Sequence, residues 1–237
     1  MTTLFCRIKN KINKKTYKYY NLFYCLRFIK YFNIFIKMKD YTMIPRKTFL
    51  YNLDIINKFK KTKGCIVECG TWRGGMIGGI ACMLSKEKEY FLFDSFEGLP
   101  LAKEIDGKKA IEWQSNKDGK YYFENCKAEM KFAENAMKIS GAKNYKLIKG
   151  WFDETLPKFK AESNKIAILR LDGDWYDSTM CCLDNLYPLV VENGIIIIDD
   201  YYAWEGCSKA VHDYLSKNNL SVRINQWKHN LCYIIKE

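Results

Sequence analysis

Short apolar runs separated by amphipathic stretches set the rhythm of this chain. CIVECG (65–70), YFLFDSF (90–96), YKLIKG (145–150), IAILRLD (166–172) and GIIIIDD (194–200) have strand length and are rich in branched and aromatic residues. SVRINQW (221–227) and LCYIIKE (231–237) follow, joined by the short turn KHN. Between them, 75–86, 125–140, 177–191 and 206–218 read as helices, and Phe49, Leu50, Leu53, Ile56 and Phe59 predict another between Arg46 and Lys61. Apolar strands alternating with helices predict a mostly parallel sheet covered on both faces, with the last two strands as a hairpin at one edge. Residues 97–124 are polar and aperiodic, and are expected to form a loop or lid.

The chain divides at residue 40 into a basic, aromatic-rich arm (1–40) and a single folded domain (41–237). Within the arm, NLFYCLRFIKYFNIFI (21–36) is broken by Arg27 and Lys30, so it lacks the roughly 18 apolar residues of a membrane span. Those charges also disfavour a cleaved signal peptide. On a helix, Arg27, Lys30, Asn33 and Lys37 take one broad side, with Leu22, Leu26, Ile29 and Phe32 on others. Such a helix suits an anionic bilayer surface at the inner membrane face, packing on the body, or a contact in a homo-oligomer. Translation starting at Met38 or Met43 would remove it.

A net charge of +12 raises the question of nucleic acid, but its distribution answers it. Residues 1–39 hold ten Lys or Arg and no acid, leaving 29 basic against 27 acidic residues, a balance of +2, in the remainder. A near-neutral body disfavours nucleic-acid binding. Ten cysteines without a CxxC pair, several inside apolar runs, fit reduced thiols in a cytoplasmic protein. With only His212 and His229 present, no zinc site is expected.

In open parallel sheets, ligands sit beyond the carboxyl ends of the strands, and five segments end there in suitable groups. ECGTWRGG (68–75) is a glycine turn, without the GxGxxG fingerprint, whose acid Glu68 suits a ligand carrying an amino group. Asp94 can accept hydrogen bonds from two ribose hydroxyls, or cap a helix. Trp151 and Phe152, just after a strand, can stack on adenine or join the core. Asp172, Asp199 and Asp200 end neighbouring strands as a hard, all-oxygen set suited to Mg²⁺, Mn²⁺ or Ca²⁺. Taken singly, these aspartates read as caps and turn residues.

YTMIPR (41–46), ECGTWRGG, DSFEGLP (94–100), GWFDETLP (150–157), RLDGDWYDST (170–179) and IIDDYYAWEG (197–206) together resemble the macrocin O-methyltransferase (TylF/MycF-like) family of S-adenosylmethionine-dependent enzymes. The resemblance runs from about Tyr41 to the C-terminus. It implies a class I methyltransferase fold, Rossmann-like, with about seven strands, the last antiparallel. It further implies donor binding by Glu68, Gly70 and the turn Thr71, Trp72, Arg73, Gly74 and Gly75, with Asp94, Ser95 and Phe96 on the nucleoside. Thr42 and Met43 would close over the donor, and Asp172, Asp199 and Asp200 would hold Mg²⁺ (or Mn²⁺).

The expected reaction is methyl transfer to a hydroxyl of a sugar-containing acceptor, small or lipid-linked, in surface-polysaccharide or glycosylated-metabolite synthesis. Asp172 is the expected proton acceptor, ahead of Asp174, and His212 is assigned a structural role. Tyr176, Tyr201 and Trp204 are candidates for the acceptor pocket. Alternatives are a catechol-like acceptor, an RNA substrate, disfavoured by the neutral body, or a non-catalytic protein retaining the fold.

Overall fold

Five parallel strands carry the apolar runs. They are β1 (Cys65–Cys69), β2 (Glu89–Asp94), β3 (Asn144–Lys149), β4 (Ile166–Leu171) and β5 (Val190–Ile198). With β6 (Ile224–Trp227) and β7 (Leu231–Ile235) they form one seven-stranded sheet in the order β3-β2-β1-β4-β5-β7-β6. The computed structural model describes residues 14–120, 122–162 and 164–237, with side chains from Leu26 onward. Strand β7 runs antiparallel to both neighbours, as the hairpin reading expected. Strands β1 and β4 are buried along their whole length, which is why they read as unbroken apolar segments.

The helices are α1 (Lys14–Met38), α2 (Arg46–Ile56), α3 (Gly75–Met83), α4 (Lys108–Ser115), α5 (Met130–Ser140), α6 (Phe152–Ala161), α7 (Tyr176–Leu186) and α8 (Glu205–Lys217). Alternate side chains of the strands feed two cores. One face packs Ile66, Leu92, Ile168 and Ile195 against α1, α2, α3 and α5. The other packs Val67, Phe93, Leu169 and Ile196 against α6, α7 and α8. The chain reverses its direction of travel across the sheet between β1 and β4, opening a crevice at their carboxyl ends.

Helix α1 joins the first core through its C-terminal half. Tyr31, Ile34 and Met38 are buried there, and Phe35 meets Phe49 of α2 edge-on with centroids 5.4 Å apart. Arg27 is held 2.8 Å from the buried carboxylate of Asp54. The arm is therefore docked along one side, and Leu22, like the rest of residues 1–25, lies outside the described side chains.

Several element boundaries differ from the sequence reading. Residues 97–124 are not all loop: they contain a 3₁₀ turn at Glu104–Asp106 and α4. Of α4 only Ala110 is buried, so no apolar period announces it. The helix expected from 125 begins at Met130, because Glu124, Asn125 and Cys126 all have positive φ, which no helix accommodates. The helix expected to reach 191 ends at Leu186, where Tyr187–Leu189 forms a 3₁₀ turn around Pro188. Helix α6 was not anticipated, since Pro157 lies inside it. Asp153 and Glu154 in its first turn suit the positive end of the helix dipole.

Candidate functional site

A cavity of about 370 Å³ opens at the carboxyl ends of β1, β2 and β4. Its lining includes Met43, Gly70, Trp72, Asp94, Ser95, Trp151, Phe152 and Asp172, all anticipated from sequence. A second cleft meets it at Met43 and Trp72 and adds Thr42 and Arg73.

Backbone geometry explains the glycine turn. At Gly70, φ is +83° and a Cβ would run into the carbonyl of Asp172, so β1 and β4 can close together there only around glycine. At Gly75, a Cβ would collide with the carbonyl of Tyr41, so the Tyr41–Met43 segment rests directly on the N-terminus of α3. Gly74 precedes it in a left-handed conformation. Arg73 stacks between the rings of Trp72 and Phe132, 4.5 and 4.7 Å from their centroids.

Asp94 is spent largely on the backbone. Its Oδ2 accepts from the N–H groups of Thr71 and Trp72 at 2.8 and 2.7 Å, and its Oδ1 from that of Phe96 at 2.7 Å. Burial raises its pKa, and the three N–H donors oppose the rise. The carboxylate thus ties the β1 and β2 loops together, leaving part of Oδ1 for a ligand. Ser95 bonds the carbonyl of Gly98, Thr71 that of Phe93, and Phe96 turns into the core at φ 58°.

Beneath the turn lies a buried charge cluster. Arg170 and Glu68 are each 1% exposed, and Arg170 Nη1 donates to Glu68 Oε1 at 3.1 Å and to Asp172 Oδ2 at 2.7 Å. Arg170 Nη2 stands 2.7 Å from Asp199 Oδ1. Glu68 Oε2 is buried without a hydrogen-bond partner. Burial pushes the Glu68 carboxyl up to about 8 against the pull of Arg170.

Oxygens of Asp172, Asp174 and Asp200 all lie within 4.8 Å of one another. The sequence reading had placed Asp199 in this set; here its Oδ1 faces Arg170, and Asp174 stands among the three instead. Asp174 is left-handed at φ 56°, a conformation Asp tolerates better than most residues. Its N–H donates to Asp200 Oδ2 at 3.1 Å, and its Oδ1 accepts from the indole N–H of Trp204 at 2.8 Å. Burial and then Asp172 raise Asp174 to about 7; burial and then Asp174 raise Asp200 well above the carboxylate range. Three carboxylates contact Arg170, and Asp174 and Asp200 stand beside them, a crowding of acidic oxygens that a hard divalent cation fits.

Residues 97–124 form one wall of the cavity through Gly98, Leu99, Pro100, Leu101, Lys103 and Asp106. They are pinned down. Asp106 Oδ1 accepts from Tyr176 N at 2.7 Å, Lys103 pairs with Asp177, and Trp175 Nε1 donates to the carbonyl of Pro100 at 2.9 Å. Trp113 meets Trp175 and Trp204 edge-on, joining this segment to the acid cluster. Tyr176 and Tyr201 do not line the cavity; their hydroxyls bond Asp213 and His212 respectively. Sequence reasoning missed Cys126, Ser178 and Cys181 in the lining. The last two follow the RLDGD segment by helical spacing, whereas nothing in the sequence marked Cys126.

The sheet order, the glycine turn at its switch point and the acids ending β4 and β5 define a class I methyltransferase fold. The family model described as Macrocin-O-methyltransferase (TylF) matches residues 38–234, and the chain belongs to that family. Among its relatives, a demethyldecarbamoylnovobiocin O-methyltransferase of Streptomyces niveus is 33% identical over 67% of this chain. A tetracenomycin rhamnosyl 4'-O-methyltransferase of Streptomyces olivaceus is 32% identical over 70% of it. The aligned stretches span 60% and 66% of those relatives' own lengths. The solved structure of the O-methyltransferase NovP superposes with a TM-score of 0.66 at 27% identity, covering 83% of this chain and 82% of its own.

Proposed function

We propose that this protein is an S-adenosylmethionine-dependent and divalent-metal-dependent O-methyltransferase, acting on a hydroxyl of a sugar or glycosylated acceptor, small or lipid-linked. The observation that carries it is the close carboxylate trio Asp172, Asp174 and Asp200, set beside a cavity bordered by the Gly70 turn. Family membership supports the donor, and the relatives' names support the acceptor class: they include a rhamnosyl 4'-O-methyltransferase and a mycinamicin III 3''-O-methyltransferase of Micromonospora griseorubida.

Glu68, with one buried oxygen unpartnered, suits the donor's ammonium group, and Asp94, Ser95, Trp151 and Phe152 border the space for the nucleoside. Asp172 and Asp200 of the trio, with Asp199 beside them across Arg170, would hold Mg²⁺ or Mn²⁺, and Asp174 completes the trio as the proton acceptor. The donor supplies an electrophilic methyl group, and the cation a positive charge that favours a deprotonated acceptor oxygen. Asp174 is the better proton acceptor, in preference to Asp172. Trp204 occupies one Asp174 oxygen and orients the other, whereas Asp172 is committed to Arg170. Trp175, buried behind the 97–124 wall against Trp113 and Trp204, fixes that wall's shape.

A cytoplasmic location is proposed because Cys65, Cys69, Cys182 and Cys232 are free and buried, which suits a reducing compartment. No helix among the described residues is long and apolar enough to cross a membrane.

Labelled-methyl transfer to free, nucleotide-linked and lipid-linked sugars and to vicinal phenols tests the reading. Transfer to a sugar hydroxyl that stops on chelation is expected. Transfer to phenols alone would overturn the acceptor class, and undiminished turnover in chelator would overturn the metal.

A further inference from the structure

We propose that α1 lays its outward face, Leu26, Ile29, Phe32 and Ile36, on an anionic bilayer surface. These four side chains are 55%, 55%, 38% and 47% exposed, a run of large apolar groups of the kind that marks a contact surface. Their spacing of three, three and four residues puts them on one side of the helix. The opposite side is fixed: Tyr31, Ile34 and Met38 are buried in the core, and Arg27 is tied to Asp54. The apolar row therefore cannot be buried by rolling the helix. Its orientation is set by the body.

Charge selects the occupant. Lys30 and Lys37 are exposed along one border of the row, and residues 1–39 carry ten basic residues and no acidic one. A second copy seated on the same face would bring two arms of this like charge together, whereas an anionic lipid surface neutralises it. Apolar side chains bordered by lysines, on a helix with no apolar span of membrane length, describe a helix lying in the interface. The same helix reaches the candidate donor site: Met38 packs against Gly78 of α3, and Tyr41 follows over Gly75. Docking here would hold the cavity close to the membrane, where a lipid-linked acceptor is met. The inference stands without that acceptor, because vesicle binding is read without turnover.

The test is sedimentation of the full chain with vesicles of phosphatidylcholine alone and of phosphatidylcholine with phosphatidylglycerol, at low and high salt. Wild-type protein is expected to bind the anionic vesicles at least tenfold more tightly, and less so in high salt. Ile29→Glu with Ile36→Glu is expected to lose that binding at least tenfold while keeping the wild-type melting temperature. Lys30→Glu with Lys37→Glu is expected to weaken binding to anionic vesicles only. Equal binding by wild type and the Ile29/Ile36 variant would overturn the proposal. So would a dimer in light scattering that the Ile29/Ile36 variant dissolves, which would give the face to a second copy.

Discussion

The indole N–H of Trp204 donates to Asp174 Oδ1 at 2.8 Å, joining the start of α8 to the loop after β4. This bond orients the one carboxylate in the close trio that is not also held by Arg170 or drawn from β5. Asp174→Asn keeps the backbone conformation, since Asn tolerates positive φ, and removes the proton acceptor. Turnover is expected to fall about 10²–10⁴-fold, with donor binding by calorimetry and Mn²⁺ binding largely kept. Loss of Mn²⁺ binding in this variant would make Asp174 a ligand instead. Trp204→Phe should lower turnover by less.

Glu68 links stability to pH. Its folded-state pKa is raised to about 8 from an ordinary 4.5, burial first, with Arg170 opposing. Between those values the folded protein binds more protons at this site than the unfolded chain does, so its contribution to stability falls as pH rises through that window. Glu68→Gln removes the loss. The melting-temperature difference, variant minus wild type, is expected to grow from pH 5 to pH 8 and then level off. A difference independent of pH would refute this. The same variant should bind S-adenosylmethionine more weakly, separating stability from donor recognition.

The sheet was legible because Ile166–Leu171 and Ile195–Ile198, buried on both faces, read as apolar runs of strand length rich in branched residues. The acid cluster was legible in Asp172, Asp199 and Asp200 because charges that end buried strands must meet at the same edge. Side-chain direction was not. The positive φ of Asp174 brings it into the trio, and Arg170, hidden within an apolar run, draws off Asp199. Asp94 was placed correctly beside the cavity, yet three backbone N–H groups already use its carboxylate. Helix α4 escaped notice because its fixing contacts, Trp113 against Trp175 and Trp204 and Lys109 Nζ to the carbonyl of Ala203 at 3.1 Å, are distant in sequence.

Arg170 offsets the charge of Glu68, Asp172 and Asp199, which hold it protonated well above its ordinary value although burial works the other way. Arg170→Met leaves three carboxylates without their counter-ion, and a loss of about 3–5 kcal/mol is expected from breaking such a buried group. A cation in the same cluster would restore part of the balance. Mg²⁺ should therefore raise the melting temperature of Arg170→Met more than that of wild type, by preferential binding to the folded state. Equal shifts would show that Arg170 and the cation site are electrostatically independent.

The buried thiols of Cys65 and Cys232 report on the integrity of the core packed against α6, α7 and α8. Burial pushes Cys65 and Cys232 up to about 12. At pH 8 a thiol of that pKa is ionised roughly once in 10⁴ molecules, against about a quarter for an ordinary cysteine near 8.5. Since the thiolate is the reacting species, these groups should react with a disulfide reagent orders of magnitude more slowly than in urea-unfolded protein. Cys232 lies on β7, between β5 and β6, paired with Ile198 and Gln226, so its reaction requires that edge to open. Its labelling rate should then follow global unfolding and fall when donor is added. Rapid labelling of Cys232 in native protein, unaffected by donor, would show that the β5–β7 edge opens independently of the rest of the fold.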